Sequence, residues 1–186
     1  MAVKRKPKPS RQQEVVEFWR QAGPERWFAK NESFDANFRT QFLADHHAAA
    51  RGEHQDWLHS AEGALALLVL LDQFPRNAWR DSGHAFATDG LALAYAARAL
   101  DAGHDQATEP ALRPFFYLPF NHAEDAALQA RAVALFESLG DGQHLAFARQ
   151  HQAVITRFGR FPHRNAALGR TSTPEEQAWL DAGGGF

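Results

Sequence analysis

Three residues of this sequence are candidates for acid–base chemistry: Asp72, Asp125 and His151. Asp72 lies near the C-terminal end of a predicted helix that is apolar on nearly every side, where the helix dipole disfavours a carboxylate. If it is buried there, its ionised form needs a cationic or hydrogen-bonding partner. The arginines available to it are Arg76, Arg157, Arg160 and Arg164. Asp72 is therefore either half of an ion pair that fixes the end of the helix or a carboxylate of a functional site.

The segment 121–125, Asn-His-Ala-Glu-Asp, predicts the start of another helix. Asn121 is a good N-cap, and Glu124 stands three residues later, as in a capping box. Asp125 begins an apolar stripe, so we expect it to point inward. His122 and Asp125 could share a metal ion, but two ligands on one helix are weak evidence against capping and packing. We therefore predict no metal site.

His151 lies in an apolar stripe of a later helix, where a lone histidine is more often a packed core residue than a catalyst. Polar residues that follow it between positions 157 and 170 are typical of an anion site built from guanidinium groups and helix-end amides. The alternative is that these arginines neutralise carboxylates and the carbonyl ends of helices. The residues predicted to bind a ligand are Arg76, Asn77, His122, Glu124, His151, Arg160, His163, Arg164 and Asn165.

Two turns of similar sequence contribute most of these residues. The segment 74–78 reads Phe-Pro-Arg-Asn-Ala, and the segment 161–166 reads Phe-Pro-His-Arg-Asn-Ala. In both, a proline is expected to end a helix and a phenylalanine to anchor the turn. The functional hypothesis depends on the two turns meeting opposite the predicted helix start at Asn121.

Helices must position these side chains, because no alternating pattern typical of strands extends over a useful length. Alanine and leucine dominate the apolar residues and isoleucine occurs once, which also favours helices. Pro75 is predicted to end the central helix, and three later prolines to divide the next stretch into short pieces. The first predicted helix contains residues 15–19 and stops near 23–24. Further helices are predicted at about 34–50, 57–73 and 88–102, from 121, at 143–158, and after the capping box at 173–176. We predict an all-α fold, a compact array of antiparallel helices with short connections.

Composition limits the remaining alternatives. The 186 residues suit a single domain at 13–186, preceded by a basic, proline-rich and flexible tail at 1–12. A contact of this tail with nucleic acid or acidic lipid is the less favoured alternative. The net charge of −2 gives no general attraction to nucleic acid or membrane, and the lack of cysteine excludes disulfides, thiol catalysis and zinc–thiolate sites. The longest apolar run, 64–71, is too short to cross a bilayer, so we expect a cytoplasmic protein.

No cofactor is predicted, because the sequence has no phosphate-binding glycine loop, no nucleophile elbow and no HExxH pair. The expected partner is a small anionic molecule or a peptide, with no nucleic acid and no membrane. The protein is expected to be a monomer or a homodimer.

Four long motifs give the sequence a resemblance to a known family. They are Leu-Leu-Asp-Gln-Phe-Pro-Arg-Asn at 70–77, Ala-Phe-Ala-Thr-Asp at 85–89, Phe-Tyr-Leu-Pro-Phe with His-Ala-Glu-Asp at 116–125, and the segment 157–170. The chain resembles, over about residues 14–182, a mostly bacterial family catalogued as domain of unknown function 924. The resemblance implies an all-α fold similar to tetratricopeptide-repeat proteins, with helical hairpins stacked into an array, and no established activity. Ala123 stands where the resemblance leads us to expect a serine.

Three functional hypotheses follow. The first is a binding module that holds a small anionic ligand or an acidic peptide end through its arginines and histidines. The second is a hydrolase or phosphoryl-handling enzyme that uses Asp72 or Asp125 with His151 as acid and base. In the third, the motifs only fasten the fold and the function lies on another surface.

Overall fold

Residues 9–186 are described by a computed structural model, in which helices alternate with short turns. The helices are α1 (Arg11–Ala22), α2 (Pro24–Trp27), α3 (Glu32–Ala50), α4 (Ala61–Leu68), α5 (Phe74–Ala78), α6 (Asp89–Asp101), α7 (Pro114–Asn121), α8 (Ala126–Leu139), α9 (Gly142–Phe158) and α10 (Pro174–Asp181). Short 3₁₀ turns span Gln55–His59, Gly83–Phe86, Pro110–Leu112 and Pro162–Arg164. The described residues contain no strand, so the all-α prediction is confirmed. The finer likeness to tetratricopeptide repeats stays a prediction.

The first and last helices begin with capping boxes. Ser10 and Gln13 cap α1 reciprocally, so Arg11 and Gln12, which the sequence placed in the tail, are helical. Residues 1–8 of the predicted tail lie outside the described residues. At the other end, the capping box of Thr173 and Glu176 starts α10 where the sequence predicted it.

The central helix is longer than predicted. A π-helical turn, Val69–Gln73, joins α4 to α5, so the helix runs without a break over residues 61–78. The prediction that Pro75 ends it is wrong. Pro75 has no N–H to donate, and the widened turn replaces the usual pattern with a bond from the Phe74 N–H to the carbonyl of Val69, five residues back. Pro119 likewise lies inside α7 and does not divide it.

The helix predicted to start at Asn121 starts five residues later. Asn121 is the last residue of α7, and α8 begins at Ala126. Asp125 is the N-cap of α8: its Oδ1 accepts a hydrogen bond of 2.9 Å from the N–H of Leu128. Asp125 is exposed, so the prediction that it points inward is wrong. Asn and Asp are equally good caps, and the sequence did not show that α7 continues through Pro119 and takes up Asn121.

The core surrounds the central helix. Residues 63–75 are all buried, and α1 and α6 pack against α4 while α3 packs against α5. The large fully buried side chains include Trp19, Phe38 and Phe74. A second, smaller apolar cluster of Val154, Ile155 and Phe161 lies under α10. None of the described helices is long and apolar enough to cross a membrane.

Candidate functional site

Asp72 lies in the π-helical turn of the central helix and is only 1% exposed. Its Oδ1 accepts a hydrogen bond of 2.7 Å from Nδ1 of His122, and its Oδ2 accepts one of 2.5 Å from Nε2 of Gln73. Nη1 of Arg76 lies 3.2 Å from Oδ1. Burial acts to raise the pKa of this carboxyl, but Arg76 and His122 outweigh it and hold the pKa of Asp72 below its ordinary value. Asp72 is therefore an ionised carboxylate in a buried position.

Arg76, one helical turn after Asp72, joins the central helix to α6. Its Nη1 and Nη2 donate to the two carboxylate oxygens of Asp89 at 2.8 and 2.9 Å, a bidentate pairing. Nη1 also donates to the backbone carbonyl of Asp72 at 2.8 Å. Burial opposes the charge of Arg76, but Asp72 and Asp89 together raise its pKa. Arg76 is consequently a well-compensated cation.

Arg164, in the 3₁₀ turn Pro162–Arg164, is buried with much weaker compensation. It is 6% exposed, and its Nη1 lies 3.4 Å from Oδ2 of Asp89. Its Nε is buried and has no hydrogen-bond partner among the described residues. The guanidinium carbon lies over the rings of Phe86 and Phe161, 4.6 and 4.5 Å from their centroids. Burial and the charge of Arg76 lower the pKa of Arg164 to about 10.

The two Phe-Pro turns therefore meet at Asp89, since Arg76 and Arg164 occupy corresponding positions in them. The meeting point is the start of α6 and not the helix start predicted at Asn121. The segment after Asn121 still contributes, because His122 contacts Asp72. We refer to Asp72, Arg76, Asp89, His122 and Arg164 as the Asp72 cluster.

His122 follows the last residue of α7 and is partly buried. An ionised carboxylate can only accept, so the contact with Asp72 requires a proton on Nδ1 of the imidazole. Burial and the charge of Arg76 lower the pKa of His122, which is therefore neutral at pH 7 with a lone pair on Nε2. A neutral imidazole oriented by a carboxylate is the arrangement of a general base.

His151 and His163 lie next to the Asp72 cluster. The ring centroid of His151 is 6.4 Å from that of His122, and Nδ1 of His151 donates to the carbonyl of Phe147 at 2.9 Å. Burial, followed by repulsion from His122 when that imidazole is protonated, lowers the pKa of His151 to about 3. Burial and Arg164 lower the pKa of His163 to about 4. Both imidazoles are neutral in the folded protein, and the imidazole that contacts Asp72 directly belongs to His122.

Arg160 and Asn165 are directed away from the Asp72 cluster, towards α10. Arg160 donates to both carboxylate oxygens of Glu176 at 2.6 and 2.7 Å, and Nδ2 of Asn165 donates to Glu176 at 3.2 Å. The hydrogen bonds from Arg160 hold the pKa of Glu176 at about 2. These two predicted ligand-binding residues attach α10 to the turn that contains Arg164.

Asn77 and Glu124 have similar structural contacts. Nδ2 of Asn77 donates to Asp35 in α3 at 2.7 Å. Glu124 accepts from the backbone N–H of Phe161 at 2.8 Å and from Nη1 of Arg170 at 2.6 Å. Glu124 thereby fixes the backbone at the start of the second Phe-Pro turn, beside Arg164.

Sequence reasoning assigned no role in the site to Asp89, Gln73 or Thr88. Thr88 and Asp89 lie at the start of the helix predicted at about 88–102, yet Asp89 receives both arginines and Thr88 donates to the carbonyl of Leu71 at 2.5 Å. The one sequence feature that could have identified Thr88 and Asp89 as site residues is the motif at 85–89, which is among the motifs that carry the family resemblance. Two neighbouring arginines, one buried and one partly buried, also require a second carboxylate besides Asp72.

A groove of about 760 Å³ lies elsewhere, along α1 and α3. Its lining includes Glu14, Glu17, Arg20 and Glu62, and none of the residues predicted to bind a ligand. Its charges have both signs, so they select no particular ligand.

Comparison with known proteins agrees with the family resemblance. Residues 15–184 match the model of the family described as bacterial protein of unknown function (DUF924). The chain belongs to this family. Among solved structures, it is similar to the protein of unknown function ATU0120 from Agrobacterium tumefaciens, with 50% sequence identity and a TM-score of 0.90. The match covers 92% of this chain and 97% of that chain. No curated protein matches.

In this DUF924 protein, the chemistry available at the Asp72 cluster comes from two features. The first is a buried guanidinium with a single long ion-pair contact among the described residues, which suits an anion. The second is a neutral imidazole oriented by a buried carboxylate, which suits proton transfer. Each feature supports a different function.

Proposed function

We propose that this protein binds a small anionic ligand, whose negative group pairs with Arg164. The observation that carries the proposal is the incomplete compensation of this buried cation. Arg76 already occupies both oxygens of Asp89, which leaves Arg164 with one contact of 3.4 Å and an unpartnered Nε within the described residues. A buried charge without full pairing costs free energy, and an anion at Arg164 would remove that cost.

Burial favours a small molecule over a peptide as the ligand. Asp72 and Arg164 are almost entirely inaccessible, whereas a peptide bound along a surface would contact exposed side chains. We also propose the tetratricopeptide-repeat-like stacking that the family resemblance implies, since the consecutive helices α7, α8 and α9 pack on one another. The cytoplasm is the proposed compartment, on the composition of the sequence.

Thermal unfolding with inorganic phosphate and acetate tests the proposal. We expect the Tm of the wild type to rise with anion concentration, because a ligand that binds only the folded state stabilises it. Arg164→Met should abolish the rise. Arg157→Met is the matched control: Arg157 is exposed and pairs with Glu175, so this variant should keep the rise. A wild-type Tm that is insensitive to both anions at constant ionic strength would overturn the proposal.

Hydrolysis is a second candidate function, favoured by the contact between Asp72 and His122. With its Nδ1 proton donated to Asp72, His122 can accept a proton at Nε2 from a water molecule that attacks an ester. Because burial lowers the pKa of His122, the base form predominates at pH 7 and the rate should rise little above that pH. p-Nitrophenyl acetate and p-nitrophenyl phosphate are suitable probes, with His122→Gln as the inactive variant. Equal rates for the wild type and His122→Gln would exclude this function.

A further inference from the structure

Phe186 occupies a slot formed by three aromatic rings beside the Asp72 cluster. Its ring is stacked on His151, with centroids 3.7 Å apart and planes inclined by 10°. It also meets the rings of Phe161 and His163 edge-on, at 6.1 and 5.4 Å. Phe186 is nevertheless 52% exposed. We call the space bounded by His151, Phe161 and His163 the ring slot.

The backbone before Phe186 has a specific path. Residues 183–185 are all glycine. A Cβ atom on Gly184 would overlap the ring of Trp179 in α10, and Gly185 has a φ of 140°, which side-chain-bearing residues rarely adopt. Only glycine therefore lets this segment pass close to α10 and deliver the phenyl ring to the slot.

The ring slot and Arg164 share one wall. The ring of Phe161 faces Phe186 at its slot side and lies 4.5 Å from the guanidinium carbon of Arg164. A flat ring in the slot and the buried guanidinium therefore contact the same phenyl ring, that of Phe161. The slot is suited to an uncharged ring, because burial keeps the His151 imidazole neutral. The ring therefore stacks on an uncharged aromatic surface.

We infer, on the basis of the proposed function, that the ligand is an anion carrying an aromatic ring, and that its ring replaces Phe186 in the ring slot while its anionic group pairs with Arg164. Phe186 is then an internal occupant that the ligand displaces. Its exposure makes the displacement inexpensive, because half of its surface already faces solvent and little apolar burial is lost. The ring of the ligand restores the same stacking on His151.

The inference is tested by isothermal titration calorimetry, which measures the affinities for methylphosphonate and benzylphosphonate. The two compounds differ by one phenyl ring. For wild type we expect benzylphosphonate to bind more tightly than methylphosphonate. Phe186→Ala should bind benzylphosphonate roughly tenfold more tightly than wild type does, because the phenyl ring that competes for the slot is gone. Its affinity for methylphosphonate should equal that of wild type. Phe28→Ala is the matched control, because Phe28 is 57% exposed and packs on Phe115, away from the slot. It should leave both affinities unchanged.

A second substitution identifies the surface on which the ring stacks. His151→Ala combined with Phe186→Ala should remove the advantage of benzylphosphonate over methylphosphonate. Equal affinities of Phe186→Ala for the two phosphonates, with binding that still depends on Arg164, would overturn the aromatic ligand and leave the proposed function intact. Failure of wild type and Phe186→Ala to bind either phosphonate would instead overturn the anion site itself.

Discussion

Arg76 and Arg164 stand at corresponding positions of two similar turns and contact the same carboxylate, yet their environments differ. Arg76 has a bidentate pairing with Asp89 and a second carboxylate, Asp72, within 3.2 Å. Arg164 has one contact of 3.4 Å and two aromatic faces. Removing the first cation leaves the buried Asp72 and the partly buried Asp89 without their main partner, whereas removing the second leaves Asp89 still paired.

The two arginines should therefore respond oppositely to substitution by methionine, which keeps most of the side-chain volume. Arg76→Met should lower the free energy of unfolding by about 3–5 kcal/mol, the usual cost of breaking a buried ion pair. Arg164→Met should leave it unchanged or raise it by about 1 kcal/mol, since a poorly compensated buried charge is removed. Urea denaturation of both variants measures the difference. A loss for Arg164→Met as large as for Arg76→Met would mean that Arg164 is a structural fastener.

At the scale of elements, the π-helical turn is held by side chains from three neighbouring segments. The carbonyl of Leu70 accepts from Nδ1 of His46 in α3 at 2.8 Å, and the carbonyl of Asp72 accepts from Arg76. Between them, the carbonyl of Leu71 accepts from the hydroxyl of Thr88. His46 supplies the carbonyl of Leu70 with the donor that Pro75, five residues later, lacks, and the three bonds hold Asp72 in its position towards His122.

Thr88→Val tests this support of the turn. The substitution keeps the side-chain shape but leaves the Leu71 carbonyl, in a buried turn, without its donor, so the free energy of unfolding should fall by about 1–3 kcal/mol. The loss would not come from helix capping, because the Thr88 side chain makes no capping bond to α6. Thr88→Ser, which keeps the hydroxyl, should recover most of the stability in the same denaturation experiment. Equal stability of the valine variant and wild type would contradict the prediction.

The attachment of α10 depends on one carboxylate. Glu176 closes the capping box with Thr173 and receives Arg160 and Asn165. Glu176→Gln should therefore speed up amide hydrogen exchange in α10 selectively, because the charge that Arg160 binds is lost. Glu175→Gln, at the exposed neighbouring position, should leave the exchange rates of α10 unchanged. Uniform acceleration over the whole chain would contradict a local role.

At the scale of the whole molecule, four histidines of the described chain that are neutral in the folded state make stability sensitive to acid. Burial is the main cause of the lowered pKa of His46, His122, His151 and His163. In the unfolded chain each takes up a proton as the pH falls below about 6.5. The unfolded state then binds more protons than the folded state, so the free energy of unfolding decreases as the pH falls.

We expect a stability plateau above about pH 7 and a decline below about pH 6.5, with a slope of up to about 1.4 kcal/mol per pH unit for each of the four histidines. For His151 the decline should continue towards its folded pKa of about 3. His151→Phe should reduce the slope of the free energy of unfolding against pH, because the unfolded state of this variant takes up one proton fewer on acidification. Substitution of the exposed His59 by glutamine is the control. Denaturation curves between pH 4 and 8 measure the slopes, and parallel curves for His151→Phe and wild type would contradict the assignment.

The local pattern of residues was sufficient for most of the helices. The helix predicted at about 34–50 is α3, and the capping box at 173–176 predicted the start of α10. The excess of alanine and leucine predicted the all-α class. These features depend on neighbours within one or two helical turns, which the sequence displays directly.

The sequence by itself determined the all-α class, most of the helices, and that Asp72, Arg76, His122 and Arg164 are polar residues needing partners. The tertiary structure decided the partners. It continued the central helix through Pro75 because His46 and Thr88, distant in sequence, supply donors to the freed carbonyls. It also brought both arginines to Asp89 and turned Asp125 to solvent, since hydrogen bonds and ion pairs in a buried site depend on distances between elements that no local pattern specifies.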